Sequence, residues 1–69
     1  MKISARNAIK ATVKKIEPGS INTEVVLEVA PGVEVTAIIT KHSVESLNLS
    51  EGKEAYVVIK STDVMVAVD

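Results

Sequence analysis

The stretch Ile21-Asn22-Thr23-Glu24-Val25-Val26-Leu27-Glu28-Val29 decides the fold. Ile21, Thr23, Val25, Leu27 and Val29 take one face and Asn22, Glu24, Val26 and Glu28 the other, which is the two-residue period of a strand buried on one side. Directly after it, Ala30-Pro31-Gly32-Val33 places proline at i+1 and glycine at i+2 of a type II turn. Val33, Val35, Ala37 and Ile39 then alternate with Glu34, Thr36, Ile38 and Thr40, so the two runs form a hairpin. Upstream, Glu17-Pro18-Gly19-Ser20 reads as a second type II turn. It follows a strand in which Ile9, Ala11 and Val13 alternate with Lys10, Thr12 and Lys14. The phase of that strand slips at Ile16, as a β-bulge would make it.

Downstream of the hairpin the spacing changes. Val44 and Leu47 lie three apart behind Ser43, a candidate N-cap, which predicts about two turns of helix over Ser43–Leu49. Gly52 breaks the chain, and two β-branched runs follow, Ala55-Val57-Ile59 and Val64-Val66-Val68, on either side of the polar turn Lys60-Ser61-Thr62-Asp63. The expectation is one all-β domain over residues 1–69. Its architecture would be a five-stranded OB-fold-like Greek-key barrel with one short helix between strands 3 and 4.

At 69 residues the chain buries a single small core, and scaffolds of this size usually add disulfides, a structural metal or oligomerisation. With no cysteine and one histidine, His42, oligomerisation remains. Val26, Ile38, Tyr56, Val58 and Met65 fall on the phase opposite the core, where they would offer apolar groups to a partner. A homo-oligomer is therefore expected. The N-terminus turns polar before any apolar leader can form and no stretch is long enough to span a membrane, so the expectation is a soluble, cytoplasmic, unprocessed chain.

Catalysis finds little support in these residues. His42 has no second histidine or cysteine with which to complete a zinc site, no serine sits in a nucleophile elbow, and Glu24, Glu28 and Glu34 occupy the solvated phase of two strands. We expect a binding protein and not an enzyme. The alternative for such a barrel is a single-stranded nucleic-acid module, which needs a basic groove and aromatic stacking platforms. Eight basic residues against nine acidic ones give a net charge of −1, and Tyr56 is the one aromatic. Nucleic acid is accordingly not the expected partner.

Three short polar segments remain outside the alternating runs. Ser4-Ala5-Arg6-Asn7 offers a hydroxyl, a guanidinium and successive main-chain N–H groups; Thr40-Lys41-His42-Ser43 sets two hydroxyls at a helix start; Lys60-Ser61-Thr62 puts an ammonium beside two hydroxyls. Each alone is an ordinary loop or cap. Together they supply the donors and positive charges that a small dianion requires in place of its water.

These residues also carry a family resemblance. Met-Lys-Ile-Ser-Ala-Arg-Asn at 1–7, the strand Val25-Val26-Leu27-Glu28 and the closing Lys60-Ser61-Thr62-Asp63-Val64-Met65 resemble the molbindins, the Mop-domain or molybdenum-pterin-binding proteins, over essentially the whole chain. The resemblance implies an OB-type barrel per subunit, a hexamer built as a trimer of dimers, and storage or buffering of molybdate or tungstate at subunit interfaces. Carried over by motif, it implies oxyanion ligands at Ser4, Ala5, Arg6 and Asn7 from one subunit and Lys60 and Ser61 from a neighbour. Thr40 and Ser43 match a Thr-x-x-Ser pattern in a related regulator. No metal atom would be ligated directly by a side chain.

Overall fold

The computed structural model describes residues 1–69. Strands β1 (Asn7–Pro18), β2 (Asn22–Ala30), β3 (Val33–Thr40) and β4 (Glu54–Ile59) form one sheet in the order β3-β2-β1-β4, with a helix α1 (Lys41–Ser46) between β3 and β4. All pairings are antiparallel. β1 serves two partners because it is long: Asn7–Thr12 pairs with β4, and Thr12–Pro18 pairs with β2. Within the β2-paired half the register slips at Val13/Lys15, the bulge that the sequence phase required. Val13 keeps its main-chain partners through the slip, donating to Lys53 O at 2.9 Å and accepting from Gly52 N–H at 2.8 Å. After the bulge Ile16 faces Val25, so both halves of β1 present apolar groups to the same side.

That side is the core, and it is small. Only six of 69 residues are buried: Ala11, Val13, Val25, Leu27, Val57 and the polar Thr23. Val44 and Leu49, from α1 and the segment after it, pack against this cluster. Ile38, Tyr56 and Val58 lie exposed on the outer face, as their phase anticipates.

The two proline–glycine turns differ. Gly32 has φ +77, the left-handed value expected at i+2 between the paired residues Ala30 and Val33. Glu28 reinforces this hairpin by accepting from Lys14 Nζ at 3.2 Å and Gly32 N–H at 3.4 Å. The lysine hydrogen bond, the glycine amide and the lysine charge together hold its carboxyl below the usual value. Gly19, by contrast, does not enter the left-handed region, so the expected type II turn at Pro18–Gly19 is not formed. Its N–H donates to Asn22 O at 2.8 Å, and a Cβ there would stand 2.6 Å from that oxygen. Glycine is required at this position for close approach, and not for its handedness.

Two further expectations are corrected. The helix starts earlier than Ser43 and is capped by Thr40, whose Oγ1 accepts from Ser43 N–H at 3.0 Å, so Ser43 lies inside the first turn. The fifth strand is absent from the sheet. Val64–Val68 has the β-branched alternation of a strand, yet after a 3-10 turn at Ser61–Asp63 it runs out into solvent, with Met65, Val66 and Val68 more than 90% exposed. β-propensity is not sufficient by itself: a strand also needs an edge to pair with and a surface on which to bury one face.

The sheet retains a place of that kind. β3 and β4 are its two outer strands and are not hydrogen-bonded to each other. Between them lies a hollow of about 480 Å³ whose lining is mostly apolar, including Leu27, Ala37, Ile39, Ala55 and Val57. The result is an all-β, OB-like fold of one four-stranded antiparallel sheet and one short helix, with an open seam where the expected five-stranded barrel would close. No helix is long and apolar enough to cross a membrane.

Candidate functional site

Topology sorts the three polar segments. Asn7 opens β1 and pairs with Ile59, the last residue of β4, and its Nδ2 donates to Ile59 O at 3.3 Å. Ser4-Ala5-Arg6 and Lys60-Ser61 leave the sheet immediately beyond this pair, side by side at one end. The structure thus brings the first and third segments together within a single chain, whereas the resemblance had assigned them to two subunits. The Thr40–Ser43 segment lies elsewhere. Thr40 pairs with Asn22, just past the Pro18–Thr23 pair that closes the other end of β1. One chain does not gather all three segments.

At the β1 start the side chains of Ser4, Arg6, Lys60 and Ser61 have no partner in the chain, and Asn7 Nδ2 is engaged by Ile59 O. Three ion pairs occur, Lys10–Glu54, Lys14–Glu28 and Lys15–Glu17, all on the sheet surface. Lys53 Nζ caps the chain after α1 by donating to Leu47 O at 3.1 Å and Asn48 O at 2.9 Å. The four remaining cations, Lys2, Arg6, Lys41 and Lys60, have no carboxylate partner, and each lies in or beside one of the three segments. Lys2 and Lys41 were not singled out by motif. Their distinction comes from the pairing of the other lysines, which depends on register. Arg6, Lys60 and Ser61 are exposed, and Ala5 and Asn7 are partly covered.

At the other end, Thr40 Oγ1 accepts from Ser43 N–H and donates to Ser43 Oγ at 2.8 Å. This leaves the Ser43 hydroxyl proton free to point outward. Thr40 therefore serves the helix cap first. Thr40→Ala is expected to cost about 1 kcal/mol, the usual loss of an N-cap hydroxyl. Ser43→Ala should cost less, because the cap accepts from the main chain of Ser43; urea denaturation of both variants measures the difference.

Such an arrangement presents donors and positive charge to an anion. His42 is exposed, and no three His, Cys, Asp or Glu side chains are gathered where they would hold a metal ion. Hydroxyls, two cations and main-chain amides are donors or fixed positive charge, which fits a proton-free oxyanion.

Comparison with known proteins agrees with this chemistry. Residues 3–66 match the TOBE domain. The chain belongs to the TOBE-domain family. This TOBE domain is of the Mop or molbindin type: it is 52% identical over 66 residues to molybdenum-pterin-binding protein 3 of Clostridium pasteurianum, covering 96% of the chain and 97% of that relative. Its structure is similar to MopII from Clostridium pasteurianum in an apo form, with a TM-score of 0.90 at 48% identity, covering 97% of this chain and all of that one. The molybdate-binding protein from Sporomusa ovata matches with the same TM-score at 38% identity, covering 99% of this chain and all of that one.

Proposed function

We propose that this TOBE domain binds molybdate or tungstate reversibly and without catalysis, at sites completed between subunits of a homo-oligomer. It would thereby store or buffer the oxyanion in the cytoplasm. The observation that carries this is the unpaired state of Arg6 and Lys60 beside the Ser4–Asn7 segment, at the end of the sheet where Asn7 pairs with Ile59. The names of the related proteins supply the identity of the anion. On this account Ser4, Ala5, Arg6 and Asn7 bind together with Lys60 and Ser61, and Thr40 and Ser43 of another copy approach from the opposite side.

The open seam supports the oligomer. A hollow bordered by two unpaired strand edges fits an extended apolar segment, and Val64–Val68 is such a segment, left exposed in its own subunit. Exchange of Val64–Val68 between copies would supply the missing strand, bury the valines and join the subunits. Further contact through Ile38, Tyr56 and Val58 would take dimers on to the hexamer.

A site rich in donors and poor in acceptors disfavours hydrogen phosphate, whose proton would lack a partner. Sulfate carries no proton, so its rejection would rest on cavity size. Isothermal titration with molybdate, tungstate, sulfate and phosphate tests the assignment. The first two should bind and phosphate should not; silence with both molybdate and tungstate would refute it.

A further inference from the structure

The turn that carries Lys60 and Ser61 is also the segment from which Val64–Val68 leaves the subunit. Lys60 is extended, with φ −63 and ψ 133, and Ser61–Asp63 form one 3-10 turn. Two main-chain hydrogen bonds hold it, Asp63 N–H to Lys60 O at 2.9 Å and Val64 N–H to Ser61 O at 3.4 Å. No side chain from Lys60 to Asp63 has a hydrogen-bond or ion-pair partner in the chain, and every residue from Lys60 onward is exposed. Its conformation is therefore weakly determined by the rest of the fold.

Such a joint has two outcomes. Folded back, it makes a hairpin that lays Val64–Val68 along the free edge of its own β4 and fills its own seam. Extended, it sends the segment to another copy. We propose that the oxyanion selects between them: held by Lys60 and Ser61 against the Ser4–Arg6 amides, it fixes the turn in the extended form and locks the exchanged strand in place. This rests on the oxyanion function proposed above and adds its regulation. A ligand shifts an equilibrium only by its difference in affinity for the two states. Here the difference arises because folding back redirects the main chain at Ser61, moving its hydroxyl and the Lys60 stem away from the Asn7 end of β1.

The test is subunit exchange between isotopically light and heavy oligomers, followed by native mass spectrometry with and without molybdate, beside calorimetry on the same samples. Molybdate is expected to slow exchange at least tenfold. A variant with two glycines inserted after Asp63 keeps Lys60 and Ser61 and should still bind molybdate. Its exchange should no longer be slowed, and part of it should become monomeric as the segment reaches its own seam. Exchange at an unchanged rate in wild-type protein that binds molybdate overturns the proposal, as does equal slowing in the insertion variant, which would mean a general clamp across the interface. Absence of calorimetric binding would instead remove the oxyanion function itself, a separate result.

Discussion

Deleting Val64–Asp69 should convert the proposed homo-oligomer to a monomer that is largely unfolded at ambient temperature, although within its own subunit only Val64 of this segment is partly covered. Val66 is 91% exposed and Val68 92%, and only Val64, at 48%, is partly covered, so an isolated chain would lose little buried surface by the deletion. If the segment lies in a second copy's seam, the sum changes. Fully burying a valine contributes about 1.5–3 kcal/mol, so Val64, Val66 and Val68 together contribute about 5–9 kcal/mol per subunit. A domain of this length has only about 3–10 kcal/mol in total. At about 4–8 °C per kcal/mol, the melting temperature should fall by about 20 °C or more. Sedimentation velocity and thermal denaturation read the two effects together; a truncated chain with unchanged mass and melting temperature would show that the seam is not filled by this segment.

The second large effect is expected from Lys60→Ala. With no ion pair or hydrogen bond to lose, Lys60 should contribute within about 0.5 kcal/mol to the stability of the unliganded protein. Ligand changes this. Molybdate at a hundred times its dissociation constant stabilises a folded state by about 2.7 kcal/mol per site, a rise of about 10–20 °C in a small domain. A hydrogen bond to a charged group is worth about 1.5–3 kcal/mol, so the variant should bind about 10–100-fold more weakly and lose most of that rise. Arg6→Ala should behave likewise. Thermal scans across a molybdate series, on protein whose oligomeric mass has been verified, distinguish lost affinity from lost structure.

Most of the sheet was legible because its elements are local. The Ile21–Val29 alternation, Pro31-Gly32 and the phase slip at Ile16 each specify backbone geometry from neighbouring residues alone, and the structure places a strand, a positive-φ turn and a bulge there. What sequence missed depends on distant partners. Pro18-Gly19 has the same letters as Pro31-Gly32, yet the approach of Asn22 O to Gly19 sets a different turn. Val64–Val68 has strand composition but pairs with neither of the free edges of its own sheet.

The candidate site was proposed from its residue types, and its arrangement came only with the fold. Arg6 and Lys60 stand out chemically, but their adjacency follows from the Asn7–Ile59 pairing, which no short motif encodes. The placement of Thr40 and Ser43 at the opposite end of β1 likewise follows from register, and it makes a second copy necessary if all three segments meet on one anion.

That meeting is most directly measured by a crystal structure of the oligomer grown with tungstate, whose anomalous scattering marks each ion without reference to the protein. The expected ions lie between copies, within hydrogen-bond reach of Ser4–Asn7 and of Lys60 and Ser61, with the Thr40–Ser43 segment of a different subunit closing the site. Tungstate bound wholly within one chain, or absent from the Ser4–Asn7 and Lys60–Ser61 end, would contradict the account.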